Sequence, residues 1–259
     1  MAPLLQGNAF ISGAGSGLGK ATAFAFAEHG IQKLAIAGRN QEKLNTTAKE
    51  LTNKYPKLEV LTVAMDINKT EEVKAGFSKI KAAFGRLDIA INNSGDLGKI
   101  TPTHQLPDEE WLGTINTNLV GTHRCQKQEI SLMLEQEDLG VRRGRGSIIN
   151  IASIYGSVSQ PDVIPYTAYC ASKHGIIGLT KVDAILYAPK NIRINVLSPG
   201  YIDTPFLDDQ IRKAAIDLTP KKRLASSEEI ADTIVVMSSP MSSFTQGSNW
   251  IVDGGYTAV

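Results

Sequence analysis

Tyr169 and Lys173 stand four residues apart in Tyr169-Cys170-Ala171-Ser172-Lys173, which places them on one face of a helix. A phenol ionises at about pH 10, too high for acid–base work at neutral pH unless a nearby cation favours its phenolate. Lys173 is such a cation. Alone the pair says little, because 7 tyrosines and 18 lysines in 259 residues supply about half of one such pair by chance. A second cluster, Ser12-Gly13-Ala14-Gly15-Ser16-Gly17-Leu18-Gly19, has glycine at every second position. Neither register of G-x-G-x-x-G fits, since Leu18 or Lys20 falls where the last glycine belongs. Gly13-x3-Gly17-x-Gly19 does fit a tight turn that brings backbone N–H groups and a helix N-terminus against a pyrophosphate. Other chemistries fail on spacing. His29, His104, His123 and His174 show no metal-ligand pattern, and Cys125 and Cys170 are too distant for a thiol pair. Gly15-Ser16-Gly17 is not the Gly-x-Ser-x-Gly elbow of a hydrolase.

These groups need elements to hold them, and the pattern supplies a regular set. Apolar runs at Asn8–Ser12, Lys33–Ala37, Val60–Ala64, Leu87–Ile91, Ser147–Ile151, Arg193–Leu197 and Trp250–Val252 predict seven strands. Helical periodicity covers Gly17–His29, Gln41–Lys54, Lys69–Phe84, Asp108–Glu137, Tyr166–Ala188 and Ser227–Ser238. Strand alternating with helix predicts an α/β fold, a parallel sheet covered by helices on both faces. Runs such as LAIA and SIINI lack the strict apolar–polar alternation of a half-exposed strand, which suits burial on both faces. No linker divides the chain, so residues 1–259 read as a single domain. Glu135–Arg145 reads as a charged, solvated connector. Asp203–Ser227, helix-forming between prolines, reads either as a flap over the carboxyl edge of the sheet, where ligands bind, or as an extra surface helix. The second strand ends Ala37-Gly38-Arg39-Asn40 with no Asp or Glu from Lys33 to Gln41. A ribose diol calls for a carboxylate there and a 2′-phosphate for a base, so Arg39 points to NADP(H) over NAD(H).

Taken in order, these motifs resemble the short-chain dehydrogenase/reductase family along the whole chain. The resemblance rests on Ser12-Gly13…Gly17-Leu18-Gly19, Asp66, Asn92-Asn93-Ser94-Gly95, Asn118, Ser153, Tyr169 and Lys173. Ser198-Pro199-Gly200-Tyr201-Ile202-Asp203-Thr204 and Val252-Asp253-Gly254-Gly255 complete it. It implies a Rossmann-like, doubly wound fold and a catalytic set of Asn118, Ser153, Tyr169 and Lys173. Ser153 would polarise a carbonyl, Tyr169 would deliver the proton and Lys173 would bind the nicotinamide ribose. Asn118 would bend its helix and support a water relay to the lysine. Gly13, Ser16, Gly17, Leu18, Gly19, Arg39, Asp66, Asn93, Ile202 and Thr204, together with Tyr169 and Lys173, would contact the cofactor, while Asn92 braces the sheet. The substrate would be a small carbonyl compound or alcohol, and the assembly a homotetramer or dimer.

Three features depart from the family pattern. Ser94 replaces the usual alanine, and 16 positions rather than about 13 separate Ser153 from Tyr169, with the extra residues in Ser157–Tyr166. That loop borders the substrate and brings Ser157 and Ser159 forward as rivals to Ser153. Tyr166 is a decoy, with Cys170 where the lysine should stand. A net charge of +1 argues for neither nucleic acid nor an anionic membrane, and no run reaches the length of a membrane span. The chain reads as cytoplasmic. The main expectation is an NADP(H)-dependent ketone reductase. An NAD-linked alcohol dehydrogenase and a non-catalytic nucleotide-binding regulator are the alternatives.

Overall fold

A computed structural model describes residues 3–159, 165–203 and 209–258. Seven strands, β1 (Asn8–Ser12), β2 (Lys33–Gly38), β3 (Glu59–Ala64), β4 (Ile89–Asn92), β5 (Gly146–Ile151), β6 (Ile192–Pro199) and β7 (Asn249–Val252), form one sheet in the order β3-β2-β1-β4-β5-β6-β7. Every pairing is parallel. This is the expected Rossmann-like, doubly wound architecture. The strand order reverses between β1 and β4, so the loops leaving their carboxyl ends diverge and open a crevice.

Alternation along each strand feeds two cores. Ala9, Ile11, Leu34, Ile36, Ile149 and Ile151 face α1 (Gly17–Glu28), α2 (Gln41–Lys54) and α8 (Ser227–Ser238). Phe10, Ala35, Ala37, Ala90 and Ile148 face α3 (Thr70–Phe84), α5 (Gly121–Glu135) and α6 (Thr167–Tyr187), with Phe10 and Phe77 rings 4.8 Å apart. Helix ends follow local chemistry. The Asn40 side chain caps α2 by accepting from the Lys43 N–H at 2.9 Å, and Gly85, with φ of 72°, closes α3. Among the described residues no helix is long and apolar enough to cross a membrane.

Two sequence expectations change. The helix read as Asp108–Glu137 is instead α4 (Asp108–Ile115), a π-helical turn over Asn116–Val120, and α5. It stops at Glu135 because Gln136 turns its side chain onto the backbone of Leu87, accepting from the N–H at 2.9 Å and donating to the carbonyl at 2.8 Å. That amide stands in for a strand partner, which is why β4 begins at Ile89 rather than Leu87. The 135–145 connector is likewise tied down, not merely solvated. Arg143 and Arg86 both reach Asp88, at 3.5 and 2.7 Å, beneath the amino end of the sheet. Of the expected flap, α7 (Asp209–Leu218) is present, while 204–208 lie outside the described residues.

Helix α8 opens with a full capping box, in which Ser226 accepts from the Glu229 N–H and the Glu229 carboxylate from the Ser226 N–H. The preceding Ala225 pairs with Tyr201 and Asp203 of the loop after β6. Ser226→Ala is expected to lower unfolding free energy by about 1 kcal/mol, read from denaturant midpoints at unchanged slope.

Candidate active site

The site begins where β1 and β4 end. The Ser12 hydroxyl accepts the backbone N–H groups of Asn93 and Ser94, both at 3.0 Å, and the Asn93 side chain donates back to the carbonyls of Ser12 (3.1 Å) and Gly13 (3.3 Å). Gly13 has φ of 70°, and a Cβ there would stand 2.9 Å from the Asn93 amide. Gly19 is buried in the first turn of α1, where a Cβ would meet the Gly13 carbonyl and lie 2.6 Å from the same amide. Glycine at these two positions is a steric requirement.

A cavity of about 360 Å³ lies beside this turn, walled by Gly13, Gly15, Ser16, Arg39, Lys43, Asp66 and Asn93 among others. A second, of about 320 Å³, is lined by Leu18, Ser153, Tyr169, Lys173, Gly200 and Ile202 among others. Asn93 and Gly95 border both, so the two form one trough across the carboxyl ends of the central strands.

At the inner end, Ser153 follows β5 and Tyr169 and Lys173 lie in the first turns of α6. The Ser153 hydroxyl accepts from the Tyr155 N–H at 3.2 Å and lines the cleft together with the Tyr169 phenol. Burial pushes that phenol up to about 12, and hydrogen bonding by Ser153 opposes the rise. Lys173 is buried and donates to the Ile151 carbonyl at 2.9 Å; burial pushes it down to about 8. Asn118 is fully buried in the π-helical turn. Its side chain pairs with the backbone of Asp96, accepting the N–H and donating to the carbonyl, both at 2.7 Å, and donates to Ser172 at 3.0 Å. A Cβ on Gly95 would lie 3.3 Å from the Asn118 oxygen and 3.5 Å from the Lys173 ammonium, so both groups converge on one point.

Comparison with known proteins identifies the architecture. Residues 13–257 match the family profile described as enoyl-(acyl carrier protein) reductase. A short-chain dehydrogenase of Penicillium roqueforti is 34% identical, the alignment spanning 99% of this chain and 98% of that protein. Cyclohexanol dehydrogenase of an Acinetobacter species is 35% identical across 96% and 94%. A solved short-chain dehydrogenase/reductase from Mycobacterium marinum superposes with a TM-score of 0.91 at 30% identity, covering 99% of this chain and 97% of its own. The chain belongs to the short-chain dehydrogenase/reductase family. It is therefore an oxidoreductase whose family uses a nicotinamide cofactor, NAD or NADP. The trough fits such a group. Gly13 and Gly15 leave open backbone beside the cavity, and the space continues past Asn93 to Ser153 and Tyr169.

Within this short-chain dehydrogenase/reductase, Gly13, Ser16, Leu18, Arg39, Asp66, Asn93, Tyr169, Lys173 and Ile202 all line the trough. Gly17 and Gly19 line neither part of it. Gly17 opens α1 with φ of 53° and borders an outer groove, and Gly19 packs the helix on the turn. Asn118 stands behind the trough and Thr204 lies outside the described residues. Asn92 bonds Asn150 of β5 and Glu129 of α5, as a brace should. Ser157 is turned away, its hydroxyl accepting from Asn249 at 3.0 Å, and Ser159 is exposed. Lys43 joins Arg39 in the cavity wall without having been singled out; its place four residues on, in the first turn of α2, is the signal that marks it. Among the described residues no group of His, Cys, Asp or Glu is arranged to hold a metal ion.

The two helix-start glycines allow a paired test. Gly17 has no atom within 4 Å of a built Cβ, so Gly17→Ala meets only the positive φ and is expected to cost about 1–2 kcal/mol. Gly19→Ala must push the turn off Asn93 and is expected to abolish cofactor binding as well. Denaturation and fluorescence titration with NADPH separate the two; equal losses at both positions would contradict the packing argument.

Proposed function

We propose that this protein is an NADP(H)-dependent oxidoreductase that reduces a ketone to a secondary alcohol, working as a single domain. The observation that carries the reading is the convergence of Ser153, Tyr169 and Lys173 on one cleft, with Lys173 one helical turn from the phenol. The nicotinamide cofactor, when bound, supplies the hydride. The remaining work falls to the chain. Tyr169, raised to about 12, keeps its proton at neutral pH and can donate it to the carbonyl oxygen. The Ser153 hydroxyl, one lone pair engaged by the Tyr155 N–H, can swing its proton from Tyr169 toward developing negative charge on that oxygen. Lys173 and the adjacent Asn118 oxygen sit behind the tyrosine, where the lysine holds ribose and the two together support proton resupply.

Cofactor choice rests on the outer end. Arg39 and Lys43 both border the cavity there, and β2 ends without a carboxylate. Two cations suit a 2′-phosphate, with Arg39 offering the bidentate fork. Reduction is the favoured direction because cells hold the phosphorylated cofactor mainly in its reduced form. The similarity to cyclohexanol dehydrogenase supports compact cyclic ketones as first substrates to test, cyclohexanone among them. The exposed apolar side chains Val182, Ile185 and Leu186 on α6 support a homo-oligomer, and the proposed setting is the cytoplasm.

Two variants test this reading. Arg39→Asp should lower the NADPH-to-NADH ratio of kcat/KM by about tenfold or more, ~1.4 kcal/mol; an unchanged ratio would remove the case for NADP. Tyr169→Phe should reduce kcat by about 10²- to 10⁴-fold with NADPH affinity intact. Full turnover by that variant would refute the acid assignment.

A further inference from the structure

Behind Tyr169 lies a run of four more tyrosines that take no part in the chemistry proposed above. Ring centroids are 6.1 Å apart for Tyr169 and Tyr166, 6.0 Å for Tyr166 and Tyr155, and 6.2 Å for Tyr155 and Tyr201. Tyr256 closes the group against Tyr155 (6.5 Å) and Tyr201 (5.9 Å). Tyr155 is therefore the hub, touching three rings, and its hydroxyl is 2.6 Å from that of Tyr201. It is buried, as are Tyr166 and Tyr256.

Tyr155, Tyr166 and Tyr201 belong to different walls of the site. Tyr155 is two residues from Ser153 and its own N–H holds the Ser153 hydroxyl. Tyr166 sits at the N-cap of α6, its carbonyl accepting the Cys170 N–H at 2.8 Å, about two turns before the helix presents Lys173. Tyr201 lies between Gly200 and Ile202, both of which line the cleft, and its carbonyl accepts the Ala225 N–H at 3.0 Å. Sixteen positions separate Ser153 from Tyr169 in the chain. A connection of that length leaves a wide range of end separations open, so side-chain contacts must select one.

We propose that Tyr155 is a positioning residue: its ring against Tyr166 and its hydroxyl on Tyr201 hold the Ser153 hydroxyl in register with the Tyr169 phenol. This rests on the assignment of Ser153 and Tyr169 as the groups that act on the carbonyl oxygen. Aromatic contacts of this kind are directional as well as apolar, and the hydroxyl pair adds a fixed third point. Tyr155 thus does across space what a shorter loop would do through the chain. A displacement of one ångström at a reacting pair is enough to lower a rate substantially.

Tyr155→Leu removes ring and hydroxyl, while Tyr155→Phe keeps the ring. With NADPH and cyclohexanone as probe, Tyr155→Leu should lower kcat by about 10- to 100-fold, with KM and NADPH affinity held, and Tyr155→Phe should restore most of the loss. Crystal structures of both variants should show the separation of the Ser153 and Tyr169 hydroxyls changed by leucine and kept by phenylalanine, a readout that needs no turnover. An unchanged separation in both variants, wild-type kcat in Tyr155→Leu, or NADPH affinity lost together with kcat would each overturn the proposal. If the leucine variant does not fold, Tyr166→Leu removes the ring on which Tyr155 packs; a fall in kcat at constant NADPH affinity supports the role, and unchanged kcat overturns it. Tyr169→Phe on the same probe keeps the two readings apart. Retained turnover there sinks the acid assignment, whereas loss there with an unaffected Tyr155→Leu sinks only the positioning role.

Discussion

The whole site depends on one hydroxyl. Ser12, the last residue of β1, accepts two backbone N–H groups from the chain leaving β4. At this point the polypeptide diverges to opposite faces of the sheet, so the ladder can no longer satisfy its own polar groups. Ser12 and the Asn93 amide close that gap between them, and the space left between the loops becomes the trough. Because the clamp is tight, α1 can begin there only if the residue packed on it has no side chain, which is the place of Gly19. Moving the clamp would move both ends of the trough together, since Asn93 borders each.

The electrostatics at the inner end differ from a simple picture of a lysine acidifying a tyrosine. Burial dominates both groups, raising Tyr169 to about 12 and lowering Lys173 to about 8. Each shift favours the uncharged form, as a poorly solvated site requires. The one influence that lowers the phenol within the chain is its hydrogen bond to Ser153. The residues alone therefore store a proton on Tyr169 and hold it there. Release has to wait for a substrate oxygen to accept it, a sound arrangement for a general acid and a poor one for a free base.

Much of this was legible in the residues. The strands at Asn8–Ser12 and the helices at Gln41–Lys54 and Ser227–Ser238 follow from local pattern, because burial on a sheet face or helix stripe leaves a period in the sequence. The site was legible because its parts recur in fixed order along the chain, which no single pair of residues could have shown. What escaped was set by contacts between distant segments. The π-helical turn at Asn118 exists beside the Asp96 backbone, 22 residues away, and no local period encodes it. Gln136 ends α5 by bonding Leu87, so neither boundary could be placed from its own neighbourhood. Gly17 and Gly19 were read as ligand contacts; the fold adds a positive φ at the first and tight packing on the turn at the second, which composition cannot show. Lys43 and Tyr155 carry no signal of their own in the sequence; the fold places them beside Arg39 and Ser153.

A buried polar spine explains how two separate helices keep their register against the sheet. Asn92 of β4 donates to Glu129 of α5 at 3.0 Å and to Asn150 of β5 at 2.9 Å; Asn150 donates to Gln126 and to Thr180 of α6, and Gln126 to Asp183. Glu129 is fully buried with one carboxyl oxygen unpartnered, and burial raises it to about 8. It is therefore mainly a neutral acid at pH 7, which avoids the cost of an unpaired charge in the core. An apolar core would hold α5 and α6 nearly as firmly, but it would tolerate sliding of one helix along the other. Directional bonds from adjacent strands to both helices do not. Since α5 continues the turn bearing Asn118, and α6 bears Tyr169 and Lys173, the same bonds that brace the sheet fix the longitudinal position of the groups on which the proposed chemistry depends.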